Sequence, residues 1–272
     1  MKSRMISACV LVLLMIAVVV FNTIFPLALV IVVAVISALS VYEIVHALGL
    51  SQKLVLLLPT LLFAAVFPFL PIGIAQQIAY YVYTFLIFTS LICYHDSVTF
   101  REAGVIYSMG LMIPTALTAL IQVRSQGGDH GMFYVIIAIC SAWAADVGAF
   151  VVGSLLGKHK LCPNISPKKT IEGLVGGFVV DILAMLLFGF LFEASYHFTV
   201  SVDYGVLALL GFVSAGLSVI GDLSFSLIKR SCHIKDFSEL IPGHGGMLDR
   251  FDSVIFVAPF VYFLLTFLPI FG

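Results

Sequence analysis

Apolar residues in this chain run in long unbroken blocks separated by short polar stretches, with little of the alternation a half-buried strand would show. About 20 consecutive apolar residues are needed to cross a bilayer as a helix. Nine windows approach that length, at about 5–22, 24–45, 54–72, 78–94, 104–123, 133–155, 174–193, 205–222 and 254–271. The pattern predicts an all-α, polytopic integral membrane protein of about nine transmembrane helices. Pro26, Pro59, Pro68 and Pro114 can kink or end helices, which a bundle tolerates when neighbours satisfy the released backbone groups. Residues 1–272 read as a single transmembrane domain, with N-terminal helices over 1–130 and the polar chemistry concentrated in 131–272.

The start, MKSRMISACVLVLLMIAVVVF, has the basic head and apolar core of a secretory signal. Its long apolar run, the lack of a small-x-small cleavage site and the hydrophobic segment that follows at once favour a retained first helix.

The cations set the orientation. Lys2 and Arg4 precede the first window, Lys53 follows the second and Arg101 the fourth. Lys158, Lys160, Lys168 and Lys169 follow the sixth, and Lys229, Arg230, Lys235 and Arg250 follow the eighth. Nine spans place all of these on one side and leave only Arg124 on the other. The positive-inside rule then expects a cytoplasmic N-terminus, cytoplasmic charged loops and an outside C-terminus. The expected location is the cell membrane, the inner one in a bacterium.

Composition agrees with this picture. The chain is 62% hydrophobic and 10% charged, against about 25% charged in soluble domains. That leaves too little polar surface for a water-soluble globule. The five cysteines include no CxxC pair, which excludes a disulfide framework and a zinc site of that type. The GxxxxGK[ST], GxSxG and HExxH patterns are absent. The basic loops are short and lack interleaved aromatics, so nucleic acid is not an expected partner.

Two loops carry the candidate chemistry. The stretch Ser226–Ser253 gathers Lys229, Arg230, Lys235, Asp236, Glu239, Asp249, Arg250 and Asp252, with His233 and His244 among them. Asp222 closes the preceding span, and a continuing helix would align Ser226, Lys229 and Arg230 with it. Gly245 and Gly246 let the backbone approach a ligand closely. Asp249 and Asp252, three apart, share a helical face. Carboxylates at two span ends among at least four cations suit a nucleotide polyphosphate with a divalent metal. Mutual salt bridging without a ligand is the competing reading.

The second loop is Gly157–Gly173. Here Ser166 reads as an N-cap and Pro167 as the first helical residue, which puts Lys168 and Lys169 in the first turn. Lysine there opposes the helix dipole and makes sense if an anion binds. A plain positive-inside anchor explains it equally well. Asp146 sits mid-span beside small residues that permit close packing, so it faces a polar cavity or a partner. Asp181 could reach the cytoplasmic interface, and Glu43 reads as an interfacial acid.

The segment Ser226-x-Ile228-Lys229-Arg230-x4-Lys235-Asp236-x-Ser238-x2-Ile241-Pro242-x-His244-Gly245-Gly246-Met247-x-Asp249-Arg250-Phe251-Asp252 resembles the signature of the phosphatidate cytidylyltransferase (CDP-diacylglycerol synthase) family. Asp146, Gly153, Gly157-Lys158 and Ser166-Pro167-Lys168-Lys169-Thr170-x-Glu172-Gly173 add to the likeness. The resemblance covers roughly the C-terminal half, and the first five spans share only hydropathy and length. It implies that CTP and phosphatidic acid give CDP-diacylglycerol and pyrophosphate, with Mg2+ required and a second, monovalent cation nearby. It also implies a multi-span fold, commonly a homodimer, with the site open to the cytoplasm and inner leaflet. By that likeness Asp222 and Asp249 hold the metal, with Asp146 and Asp252 as further candidates. The catalytic set becomes Asp222, Asp249, Lys235 and Arg250. Substrate binding falls to Ser166, Lys168, Lys169, Ser226, Lys229, Arg230, His244, Gly245 and Gly246. A CTP-dependent polyprenol or phytol kinase of related architecture is the nearest alternative. An ion-coupled transporter using Asp146, Asp181 and Asp222 is a more distant one.

Overall fold

The computed structural model describes residues 25, 27–197, 199–241, 243 and 245–270. The first predicted span, the cations Lys2 and Arg4, Pro26, Pro242 and His244 lie outside the described residues.

Helices dominate: α1 (Leu27–Ala47), α2 (Leu54–Val66), α3 (Ile74–Cys93), α4 (Phe100–Gln126), α5 (Gly131–Leu156), α6 (Ile171–Ser195), α7 (Tyr204–Ser231) and α8 (Leu248–Phe267). Seven of these are long and apolar enough to cross a membrane. The exception is α2. Its 13 residues rise only about 20 Å, short of a hydrocarbon core of about 30 Å. The third predicted span therefore stops early, because the chain tightens into a 3-10 turn at Phe67–Phe69 around Pro68. Proline cannot donate to a continuing helix. By contrast, Pro59 and Pro114 sit inside α2 and α4 without ending them.

A two-stranded antiparallel hairpin, β1 (Lys160–Cys162) and β2 (Ser166–Thr170), joins α5 to α6. It corrects the expectation of a helix starting at Ser166 and Pro167. The true N-cap is Thr170, with φ −127° and ψ 157°, whose hydroxyl accepts the Gly173 N–H at 3.1 Å. A β-branched residue suits that extended backbone, and a threonine hydroxyl satisfies an otherwise unpaired donor of the first turn. Lys168 and Lys169 thus lie on a strand ahead of the helix, and Glu172 occupies the first turn, in the sense the helix dipole favours.

The outward faces are apolar. On α6, Val175, Val179, Leu183 and Leu187 are exposed at four-residue intervals, and on α3 so are Ile78, Val82, Phe85 and Ile92. Stripes of this kind would be a liability in water. Against lipid they are the expected surface, and the chain is an all-α membrane protein apart from the hairpin.

The described residues fall into two compact units: residues up to Ile121 with Ser231–Phe251, and Gln122–Arg230 with the residues from Asp252 onward. In the first unit, buried Tyr83 of α3 meets Thr60 of α2 at 3.2 Å and donates to the Ile106 carbonyl of α4 at 3.3 Å. Thr99 and Glu102 cap α4 reciprocally, Thr99 N–H to Glu102 Oε2 at 2.8 Å and Glu102 N–H to Thr99 Oγ1 at 3.3 Å. Lys53 then reaches Glu102 Oε1 and the Ser97 carbonyl, both at 2.6 Å, so these loops share one end of the unit. In the second unit, α5 and α6 pack through small residues. A Cβ added at Gly173 would lie 2.6 Å from the Ala149 carbonyl oxygen, and one at Gly177 would lie 2.9 Å from that of Ala145. Only small-on-small contact allows that separation, as helix pairs in membranes often use.

Candidate active site

In the second unit the hairpin and helices α5, α6, α7 and α8 converge on one another. Glu172 of α6 accepts the backbone N–H groups of Lys158 at 3.0 Å and His159 at 3.2 Å, and its other oxygen meets His159 Nδ1 at 2.6 Å. This fastens the hairpin to the start of α6. Lys168 is left exposed, while Lys169 turns inward and its Nζ lies 2.5 Å from Asp222 Oδ2. Ser166 is half-buried at the first position of β2.

Asp222 stands on α7, which continues nine residues past the predicted span end and so carries Ser226, Lys229 and Arg230 on helix. Lys229 is buried and Arg230 exposed. The neighbouring residue, Gly221, lets α8 come close, since a Cβ there would lie 2.8 Å from the Asp252 carbonyl oxygen. Asp252 and Ser253 are buried on α8. Ser253 donates its hydroxyl to Asp146 Oδ2 on α5 at 2.9 Å. Asp146 interacts electrostatically with Lys169 and Asp222, and Asp252 with Asp222, Lys229 and Asp146. Three carboxylates and two ammonium groups therefore share one neighbourhood: Asp146, Asp222, Asp252, Lys169 and Lys229.

The first unit holds the other half of the predicted set. Ile241 N–H donates to the Gly245 carbonyl at 2.9 Å, closing a tight turn in which Gly243 and Gly245 take φ of 80° and 84°. Positive φ at both explains the glycines. Asp249, buried in the first turn of α8, accepts the N–H groups of Phe237 at 2.8 Å and Gly246 at 3.0 Å through Oδ2. Lys235 is exposed on the loop and Arg250 half-buried on α8.

Two further acids are buried and hydrogen-bonded within the protein. Asp181 is wholly buried, ten residues into α6, and accepts the Ser141 hydroxyl at 2.9 Å. Glu43, near the end of α1, is buried as well. It is 4% exposed on α1 and accepts three donors: Ser238 Oγ at 2.6 Å, Met247 N–H at 2.9 Å and Leu248 N–H at 2.7 Å. Ser253 and Thr170 were likewise not singled out as site residues. A charged residue inside an apolar window is itself a functional signal, and Glu43 carries that signal plainly. Its partners, about 200 positions away, are what a linear reading does not supply.

Among the described residues, no three His, Cys, Asp or Glu side chains converge closely enough to hold a metal by themselves. Mg2+ does not require that. It is usually held by one or two carboxylates, with waters and substrate phosphates completing an octahedron. Asp222, Asp146 and Asp252 offer hard oxygen donors whose like charges oppose one another in largely apolar surroundings, so the donor set fits a divalent cation.

Comparison with known proteins bears on this arrangement directly. Phosphatidate cytidylyltransferase of Bacillus subtilis is 36% identical over 181 residues, 66% of this chain and 65% of that protein. The enzyme of the same name from Staphylococcus saprophyticus is 40% identical over 150 residues, covering 54% of this chain and 52% of the relative. That of Synechocystis is 37% identical over 169 residues, covering 61% and 55%. The chain thus spans between about half and two thirds of the length of these relatives. A family profile described as the Cytidylyltransferase family matches residues 2–268, which takes in the hairpin, Asp222 and the whole loop before α8. On that match the chain belongs to the cytidylyltransferase family.

Proposed function

We propose that this protein is a phosphatidate cytidylyltransferase, moving CMP from CTP to phosphatidic acid to give CDP-diacylglycerol and pyrophosphate. The observation that carries the reading is the Lys169–Asp222 pair, set among Asp146, Asp252 and buried Lys229 in a membrane-spanning unit. The relatives that share 36–40% identity with it bear the same name.

A phosphatidate oxygen attacks the α-phosphorus of CTP in line, a new P–O bond forms, and the bond to the β-phosphate breaks. The nucleophile is already anionic, so the obstacle is bringing two anions together. Mg2+, when bound, shields the triphosphate and stabilises the leaving pyrophosphate. Asp222 would hold it, with Asp146 and Asp252 as further oxygen donors, and Asp249 is a metal-ligand candidate on the family likeness. Lys169 is positioned by Asp222 and aims an ammonium at the same point. Lys168, Lys229, Arg230, Lys235 and Arg250 bind phosphate oxygens, and the planar guanidinium groups suit bidentate contact. Lys169 just ahead of α6 and Asp252 in the opening turns of α8 fit a substrate whose headgroup lies at the interface while its acyl chains stay in hydrocarbon.

Membranes given phosphatidic acid, Mg2+ and CTP labelled at the α-phosphorus test the reading. Label in the lipid fraction supports it. Lipid label from γ-labelled CTP in a parallel reaction, with none from the α-labelled nucleotide, would instead mark a CTP-dependent lipid kinase, and substrate uptake by sealed vesicles without CTP consumption would mark a transporter.

A further inference from the structure

Glu43 has no part in the scheme above, yet few side chains in the first unit make more of their polar atoms. It lies near the end of α1, and both carboxylate oxygens are engaged. Oε1 accepts the Ser238 hydroxyl at 2.6 Å and the Met247 N–H at 2.9 Å, and Oε2 accepts the Leu248 N–H at 2.7 Å. Leu248 opens α8, so Glu43 satisfies backbone donors at a helix start that has no intrahelical partner for them. A carboxylate there also meets the positive end of the helix dipole.

Its neighbour in this task is Asp249. Gly246 N–H goes to Asp249 Oδ2 at 3.0 Å, and the next two N–H groups go to Glu43. Three consecutive amides are thereby shared between one carboxylate of α8 and one of α1. The far end of the loop is held by the same two acids, Phe237 N–H by Asp249 and Ser238 Oγ by Glu43. The fit leaves no room for a side chain between them, because a Cβ at Gly246 would lie 2.6–2.8 Å from the Glu43 carboxylate atoms.

We propose that Glu43 is a positioning residue for nucleotidyl transfer: it clamps both ends of the 237–248 loop and so fixes the orientation of Asp249 and the register of Arg250. This rests on the cytidylyltransferase reading. The clamp needs an acceptor at both oxygens. Glutamine keeps the shape but turns an NH2 toward an N–H or hydroxyl donor, which leaves a buried donor unsatisfied.

The test uses full-length Glu43→Gln and Ser238→Ala proteins in detergent or nanodiscs, by amide hydrogen exchange and steady-state kinetics per folded molecule. Exchange in Glu43→Gln should rise in peptides covering 237–249 and stay unchanged in α5 and α6. Its kcat should fall at least tenfold, with KM for CTP changing by less. Ser238→Ala, which removes one of three donors, should shift both readouts in the same direction by a smaller factor, and it decides the matter if Glu43→Gln does not fold. Wild-type exchange and kcat in both variants, or faster exchange throughout the protein, would overturn the positioning role. Wild-type enzyme that transfers no label from CTP to lipid would instead sink the functional reading, while the exchange result would still report on the clamp.

Discussion

Lys169 Nζ lies 2.5 Å from Asp222 Oδ2, which ties the strand before α6 to the middle of α7. Lys168, the adjacent residue, points away and is exposed. The two lysines are therefore unequal, although their positions in the chain read as equivalent. Lys169→Ala should lower kcat/KM about 100-fold, the scale of losing one preorganised electrostatic contributor, while Lys168→Ala loses tenfold or less. Initial rates on correctly inserted protein check this. Equal losses, or a topology change in either variant, would favour a plain membrane anchor.

The start of α6 gives a second contrast. With Thr170 as the N-cap, Thr170→Ala should destabilise the protein by about 1 kcal/mol, seen as a lower Tm in detergent. Ser166→Ala should leave Tm unchanged, since the helix does not begin there. The reverse ranking would restore a helix starting at Pro167.

That contrast also shows where the chain could be read and where it could not. Membrane-spanning helices follow from blocks of about 20 apolar residues, a local property, and α1, α3, α4, α5, α6, α7 and α8 correspond to predicted windows. The hairpin did not follow. Ser166-Pro167 before a charged pair reads as a helix start, whereas the decision between strand and helix rests on pairing with Lys160–Cys162, a three-residue strand too short to show a pattern. Asp146 was legible as a buried acid beside small residues, and it does meet Ser253 and close-packed helices. Glu43 was visible as a charge in an apolar window, but its role depends on Ser238, Met247 and Leu248, and no local rule joins residues so far apart in the chain.

Gly246 should tolerate no side chain. A Cβ would press on the Glu43 carboxylate at 2.6–2.8 Å, and overpacking of this kind costs about 1–3 kcal/mol. Gly246→Ala should therefore lower both Tm and activity, and a wild-type Tm would show that the loop has slack the geometry denies.

Asp146 and Asp181 are both acids within spans, and only the first is grouped with Asp222 and Lys169 in the proposed site. Asp146→Asn keeps an acceptor for the Ser253 hydroxyl but removes a charge. It should raise the Mg2+ concentration for half-maximal activity about tenfold, and weaken Mn2+ binding followed by electron paramagnetic resonance to a similar degree. Asp181→Asn, which retains the Ser141 contact, should stay within a few-fold of wild type in both. Equal effects of the two substitutions would remove Asp146 from the metal set.

The most direct measurement uses purified wild-type and Asp222→Ala proteins in vesicles containing phosphatidic acid, with Mg2+ and CTP labelled at the α-phosphorus. The wild type should release one pyrophosphate for each labelled lipid formed, and Asp222→Ala should lose activity by at least 100-fold while remaining folded. Unlabelled lipid in the wild-type reaction, or turnover by Asp222→Ala within a few-fold of wild type, would contradict the account.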